Sequence, residues 1–233
     1  IMAASPIPYT EKNQTPKEMD RKDMDCLIAD YVAAANRAQE VGFDMLELHC
    51  AHGYLLNTFL SPKTNHREDA YGGSIENRMR FPLEVYLALR SAWPDEKPIS
   101  VRISANDWIE GGFVPEDAVQ VAKAFKAVGC DIMDVSSGQV VVEEEPNYGR
   151  LFQLPFSEKV RLEAEIPTMT VGNIQSYADA NSIIAGGRAD ICVIARMHLF
   201  DPYWARHAAN KLAYPLEMPD QYKSVEVYTP RWI

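Results

Sequence analysis

The sequence predicts an α/β fold built on a parallel sheet. Short apolar segments, each strand-like, alternate with amphipathic helical stretches along the chain. Several helices run out at a glycine just before the next strand, as at Gly42, Gly129 and Gly186. The strand segments also lack polar alternation, as expected of a sheet covered on both faces.

The elements follow in order. Residues 1–16 carry Pro6, Pro8 and Pro16 and read as an irregular arm. From about residue 16, Met24, Leu27, Ile28, Tyr31, Ala34 and Ala35 recur at helical spacing, and Gly42 ends that helix. Strands are predicted at 44–48, 99–103, 131–135, 167–171 and 190–194, with helices at 74–93, 115–128, 156–165, 176–185 and 202–212. Residues 214–233 read as an irregular tail, which leaves 1–213 as one domain. This rhythm fits an open doubly wound sheet or five units of a (β/α)₈ barrel, and spacing alone does not separate the two.

Composition narrows the class. A chain of 233 residues with 47% hydrophobic content has enough material for one core. A formal charge of −10 argues against nucleic acid or an anionic membrane as the main partner. No apolar run approaches the roughly 20 residues that span a bilayer, and residues 1–10 lack the pattern of a signal peptide. Cys26, Cys50, Cys130 and Cys192 are widely spaced, which points to reduced thiols and a cytoplasmic setting.

The chemistry concentrates after the first strand. His49, His52 and Tyr54 place two imidazoles and a phenol in one short segment, at the strand end where ligands bind in α/β folds. Imidazole nitrogens can hold a partly negative oxygen, and a phenol, protonated at neutral pH, can deliver a proton to carbon. A satisfied structural histidine is the competing reading. Half of a zinc site is another, although no third ligand stands at suitable spacing, and no metal is expected. Arg67, Asp69, Glu76 and Arg78, in the long excursion that follows, are expected to form a polar network holding the loop. Arg102 sits on the second strand as a fixed cation, or as one half of a salt bridge with Glu47. Gly172 with Asn173, and Ala195 with Arg196, occupy the ends of the last two strands, where barrels bind phosphate.

HCAHGYLL at 49–56, FLSP at 59–62, YGGSIENR at 71–78, VRIS at 101–104 and GRAD at 187–190, in this order, resemble the NADH:flavin oxidoreductase family that includes old yellow enzyme. The resemblance implies a TIM barrel with FMN across its C-terminal mouth and NAD(P)H as reductant. It implies that His49 and His52 bind the carbonyl oxygen of an electron-poor alkene and that Tyr54 protonates the adjacent carbon, while hydride comes from flavin N5. Arg102, Gly172, Asn173, Ala195 and Arg196 become cofactor contacts. At position 195 many members of the family carry glycine.

The chain then reads as a partial (β/α)₈ barrel, its last five βα units, with three strands expected ahead of them. Five units alone are expected to be inactive, and their open edges predict either the rest of the barrel or a homo-oligomer. A narrower resemblance runs through ELHCAHGYLL, the segment 134–156 and VIARMHLFDPYWARHAA. These are similar to the reductase region of bifunctional salicylyl-CoA and 2-aminobenzoyl-CoA monooxygenase/reductases, and imply an acyl-CoA substrate near Gln139, Tyr148, Arg150 and Gln153, with Ser137 and Gly138 at the mouth. Two other classes compete: a flavin-free barrel lyase that binds a phosphorylated ligand, and a non-catalytic half barrel.

Overall fold

The computed structural model describes residues 1–226. Two short strands, β1 (Met2–Ala3) and β2 (Lys17–Glu18), pair in parallel at the start of the chain. Helix α1 (Arg21–Glu40) leads into strand β3 (Leu46–Cys50). Three helices follow, α2 (Leu55–Leu60), α3 (Ile75–Arg78) and α4 (Arg80–Ala92), before strand β4 (Ile99–Ser104). Helix α5 (Pro115–Ala127) precedes β5 (Ile132–Ser136), and α6 (Leu154–Ala164) precedes β6 (Thr168–Val171). Helix α7 (Tyr177–Ala185), β7 (Ile191–Val193), α8 (Arg196–Phe200) and α9 (Trp204–Lys211) complete the main body.

Strands β3 to β7 form one five-stranded parallel sheet in sequential order. Sequential order without a reversal point is the arrangement of a barrel wall, not of a doubly wound sheet. The fold is therefore a partial (β/α)₈ barrel.

Side-chain alternation divides the sheet into two faces. Leu48 and Cys50, Val101 and Ile103, and Met133 and Val135 are fully buried against the helices. Tyr86 on α4 and Phe125 on α5 fill that layer and meet edge to face at 5.4 Å. The opposite face carries His49, Arg102 and Asp134, which stand side by side in register.

Several boundaries differ from expectation, each for a local reason. Helix α1 begins at Arg21 rather than near residue 16, because Asp20 and Asp23 close a capping box there. Lys17 and Glu18 are taken up by pairing with β1. The first sheet strand runs two residues later than its apolar pattern suggests, since its register is set by pairing with Ile99–Ser104. His49 thus belongs to the strand itself. The expected helix over 74–93 breaks at Met79, where Arg78 turns inward to the carbonyls of Leu60 and Gly73. Helices α2 and α8 were not expected. The tail contains a 3₁₀ turn over Asp220–Val225, and its part from 227 onward lies outside the described residues.

Phe125→Ala empties space that the surrounding helices cannot refill. A loss of about 3–5 kcal/mol in unfolding free energy is expected in urea titrations. A loss below about 1 kcal/mol would show that the α4–α5 layer collapses around the gap.

Candidate active site

Three strands bring the polar residues into one layer. His49 of β3 lies beside Arg102 of β4, which lies beside Asp134 of β5. Asp134 approaches Arg102 Nε to 3.2 Å, yet the angle makes no hydrogen bond, and Arg102 Nε and Asp134 Oδ1 both stay unpartnered among the described residues. Burial pushes the Asp134 carboxyl up to about 6, against the pull of Arg102. The partner anticipated for Arg102, Glu47, instead accepts a 2.8 Å hydrogen bond from Ser100 Oγ.

The chain turns sharply after β3. His52 and Gly53 are successive left-handed residues, at φ 59° and 69°. A Cβ on Gly53 would sit 2.7 Å from the Gln139 carbonyl, so only glycine fits that crossing. This turn folds His52 and Tyr54 back over the strand end. The His49 ring lies 5.3 Å from that of His52 and 5.2 Å from that of Tyr54, centroid to centroid. Tyr54 is 64% exposed.

The two histidines are held differently. The His52 backbone N–H donates to Ser104 Oγ at 2.9 Å, and its Nε2 lies 2.7 Å from Ser136 Oγ. Burial first, then Arg102 and His49, push its pKa down to about 4. Burial, then Arg102, also lower His49. Both rings are therefore neutral at pH 7, each with one N–H and one lone pair. No described residue hydrogen-bonds the His49 ring, and its nitrogens are not sealed from solvent.

At the other end of the same sheet edge, Val171, Gly172, Asn173, Ala195, Arg196 and Phe200 line a cleft of about 350 Å³. Gly172 and Asn173 turn it with φ of 109° and 56°. A Cβ on Gly172 would meet Gln153 Nε2 at 2.6 Å. The Asn173 amide is spent on the Gly149 carbonyl, at 3.1 Å. Arg196 is exposed and has no ion-pair partner among the described residues. Among those residues, no three His, Cys, Asp or Glu side chains come together as a metal-binding group, and no helix is long and apolar enough to cross a membrane.

Not every residue anticipated at the mouth reaches it. Gln153 is buried beneath the site at the start of α6. Arg150 is tied to Asp179 of α7, with Nε at 2.7 Å. Ser137 and Gly138 are buried, Ser137 donating to Gln153 and Gly138 accepting from Ser104. Tyr148 and Gln139 are exposed. Glu144 accepts the Gln139 backbone N–H at 2.5 Å and so shapes the loop. In the excursion, Arg67 pairs with Asp69, as expected of a network that holds the loop, and also donates to the carbonyls of Ala4 and Met19, at 3.0 and 2.8 Å, which pins the N-terminal arm. Ser136 bridges His52 to Gln153, and Trp108 donates to Ser137; contacts between residues so far apart leave no local pattern in the sequence.

Comparison with known proteins accords with this geometry. The profile of the NADH:flavin oxidoreductase / NADH oxidase family matches residues 2–214. An NADPH dehydrogenase of Geobacillus sp. (strain WCH70) is 46% identical over 226 residues, 96% of this chain and 65% of that protein. An NADPH dehydrogenase of Listeria innocua is 41% identical over 222 residues, again at 65% of its length. The chain thus spans about 65% of the length of these curated relatives. Among solved structures, morphinone reductase matches with a TM-score of 0.73 at 26% identity, over 97% of this chain and 62% of that one. A 2-naphthoyl-CoA reductase complex matches with a TM-score of 0.82 at 25% identity, over 92% of this chain and 33% of that one.

A histidine kept neutral by the fold binds fewer protons folded than unfolded. His52 should therefore cost stability as the pH falls from about 6.5 through about 4. Asp134 and Asp107, both raised to about 6, act in the opposite direction between about 4 and 6, so the comparison must be made between variants. His52→Gln should remove its share of the acid-side loss, measured as urea midpoints at pH 7 and pH 4.5. An identical pH dependence in parent and variant would mean that His52 titrates normally.

Proposed function

Since the chain belongs to the NADH:flavin oxidoreductase / NADH oxidase family, we propose that the protein reduces an activated carbon–carbon double bond with FMN as cofactor and NAD(P)H as reductant. The observation that carries this reading is the cluster of His49, His52 and Tyr54 rings beside Arg102 at the C-terminal edge of the sheet. Two neutral imidazoles suit the grip on a carbonyl oxygen that gains negative charge during reduction. Tyr54, adjacent to His49 and exposed, then gives its proton to the carbon next to that carbonyl.

The residues present fit a flavin mononucleotide. Arg196, with no ion-pair partner among the described residues, lies in the same cleft as the Gly172 turn, a donor set suited to a terminal phosphate. Asn173 and Ala195 contribute backbone there, and the methyl group at 195 still leaves an open cleft. Arg102, beside His49, suits the electron-rich edge of the isoalloxazine ring. Bound FMN supplies the hydride that is passed from NAD(P)H to the substrate. Holding the carbonyl, setting its orientation and delivering the proton fall to His49, His52 and Tyr54.

A finer reading makes the substrate an unsaturated or aromatic acyl-CoA thioester. It is supported by the likeness to the 2-naphthoyl-CoA reductase complex and by the segment 134–156. Assembly into a homo-oligomer, or against the remainder of a barrel, is supported by the outer strand β7, where Ile191 is 46% exposed. Residues 1–213 are assigned to the barrel portion and 214–233 to an irregular tail, in a protein that works in the cytoplasm.

Arg196→Ala removes a charge-assisted contact worth about 1.5–3 kcal/mol. FMN affinity, measured by fluorescence titration of the full-length protein, should fall roughly tenfold or more. Unchanged affinity would move the phosphate elsewhere.

Tyr54→Phe keeps the ring and loses the proton. Reduction of the flavin by NAD(P)H should be nearly normal, because no substrate proton is involved. Reoxidation by an enone or enoyl-CoA should slow by roughly 10²–10⁴-fold in stopped-flow absorbance. Equal slowing of both half-reactions would make Tyr54 structural.

A further inference from the structure

We infer that Gln153 is a positioning residue that fixes the ring proton of His52 on Nε2, acting through Ser136. Six hydrogen-bonding groups are linked here, and two of the network's ends are chemically unambiguous. At one end, Gln153 Nε2 lies 3.0 Å from the Val171 carbonyl oxygen. A carbonyl only accepts, so the amide NH₂ faces Val171 and the amide oxygen must face the other way. At the other end, Trp108 Nε1–H lies 3.0 Å from Ser137 Oγ, and an indole only donates.

Everything between follows. Ser137 Oγ accepts from Trp108 and gives its own proton to Gln153 Oε1 at 2.7 Å. Ser136 Oγ also lies on Gln153 Oε1, at 3.2 Å, and must donate there, because that oxygen has no proton to give. The one hydroxyl proton of Ser136 is then committed. Its remaining contact, His52 Nε2 at 2.7 Å, can only be an N–H donating to Oγ. Nδ1 of His52 is left as a lone pair, with no hydrogen bond to a described residue and not sealed from solvent. Gln153 is 4% exposed and packs on Gly172, so the amide has little freedom to turn over.

The tautomer stands on these contacts alone; its use in catalysis rests on the reductase reading above. With the proton stored on Nε2, the resting acceptor of His52 is a neutral serine hydroxyl. A substrate oxygen first meets His49, whose nitrogens have no described partner, and competes with Ser136 for the second N–H. A neutral carbonyl competes weakly, whereas an oxygen gaining negative charge is the stronger acceptor. The second donor is thus exchanged to the substrate as charge develops, which favours the transition state over the bound ground state.

The test is ¹⁵N-edited NMR of the histidine rings in full-length, flavin-loaded protein with ¹⁵N-histidine, His52 being assigned by loss of its signals in His52→Gln. The wild type should show a pyrrole-like Nε2 and a pyridine-like Nδ1. Gln153→Met, which removes the acceptor and frees the Ser136 hydroxyl to rotate, should give a mixture of tautomers. Gln153→Glu keeps an acceptor oxygen, so it should retain the Nε2–H form while moving the second protonation of His52 to higher pH. If Gln153→Met does not fold, Ser136→Ala removes the partner of Nε2 directly and should release the tautomer in the same way. An Nδ1–H ring in the wild type would overturn the inference, as would an unmixed Nε2–H ring in Gln153→Met or in Ser136→Ala. Because none of these readouts needs turnover, they separate a wrong tautomer from a wrong reaction. Failure of the wild-type enzyme to reduce any enone or enoyl-CoA would sink the reductase reading while leaving the ring proton where it is.

Discussion

The site depends on the register between β3 and β4. In a strand, neighbouring side chains point to opposite faces, so placing Leu48 and Cys50 in the helical layer necessarily places His49 on the inner face. The same pairing puts Arg102 beside His49, and the next pairing puts Asp134 beside Arg102. A slip by one residue would bury a histidine, an arginine and an aspartate among aliphatic side chains, at a cost of several kcal/mol for each unpaired charge. Val101, Ile103, Met133 and Val135 therefore act on the chemistry at a distance. Their burial holds a polar row on the other side of the sheet.

That polar row carries its own cost. Asp134 keeps a buried oxygen without a partner and sits close to its cation without a hydrogen bond, an arrangement that burial alone disfavours. Its carboxyl, raised to about 6, still carries mainly negative charge at neutral pH. Arg102 is thereby held beside His49 and His52 by an ion pair that leaves guanidinium capacity open. Burial first, and then this cation, lower both histidines and keep them neutral. Burial and this ion pair thus act in the same direction on the imidazole cluster.

Much of this was legible in the sequence, because the signals were local. Apolar runs and glycine stops gave five strands, and His49, His52 and Tyr54 lie close enough in the chain to be read as one group. That Gly172 and Arg196 share one cleft was legible because both stand at the ends of the last two strands. The Arg102–Asp134 pair was not: Asp134 sits in an apolar strand and is indistinguishable there from a residue at a strand edge. Gln153 was placed at the pocket only by the narrower resemblance, because no local pattern marks it as buried. The fold instead draws it under the sheet edge, where its amide makes three hydrogen bonds, to Ser136, Ser137 and Val171. Helix α2 was illegible since Leu55–Leu60 has no side-chain cap and is held by burial.

The left-handed turn at His52 and Gly53 connects these layers. Without it the chain would leave the strand along its own axis, and Tyr54 would point away from His49. The turn closes only because Gly53 has no side chain, which leaves its space to the Gln139 carbonyl. Gln139 is itself left-handed and is held by Glu144. Ser104, at the end of β4, completes the clamp by accepting the His52 N–H and donating to the Gly138 carbonyl. One hydroxyl thus joins the loop after β3 to the loop after β5. The phenol, the two imidazoles and the loop that would border a substrate are therefore positioned together: they share backbone anchors, and displacing any one of them strains the turn that holds the others.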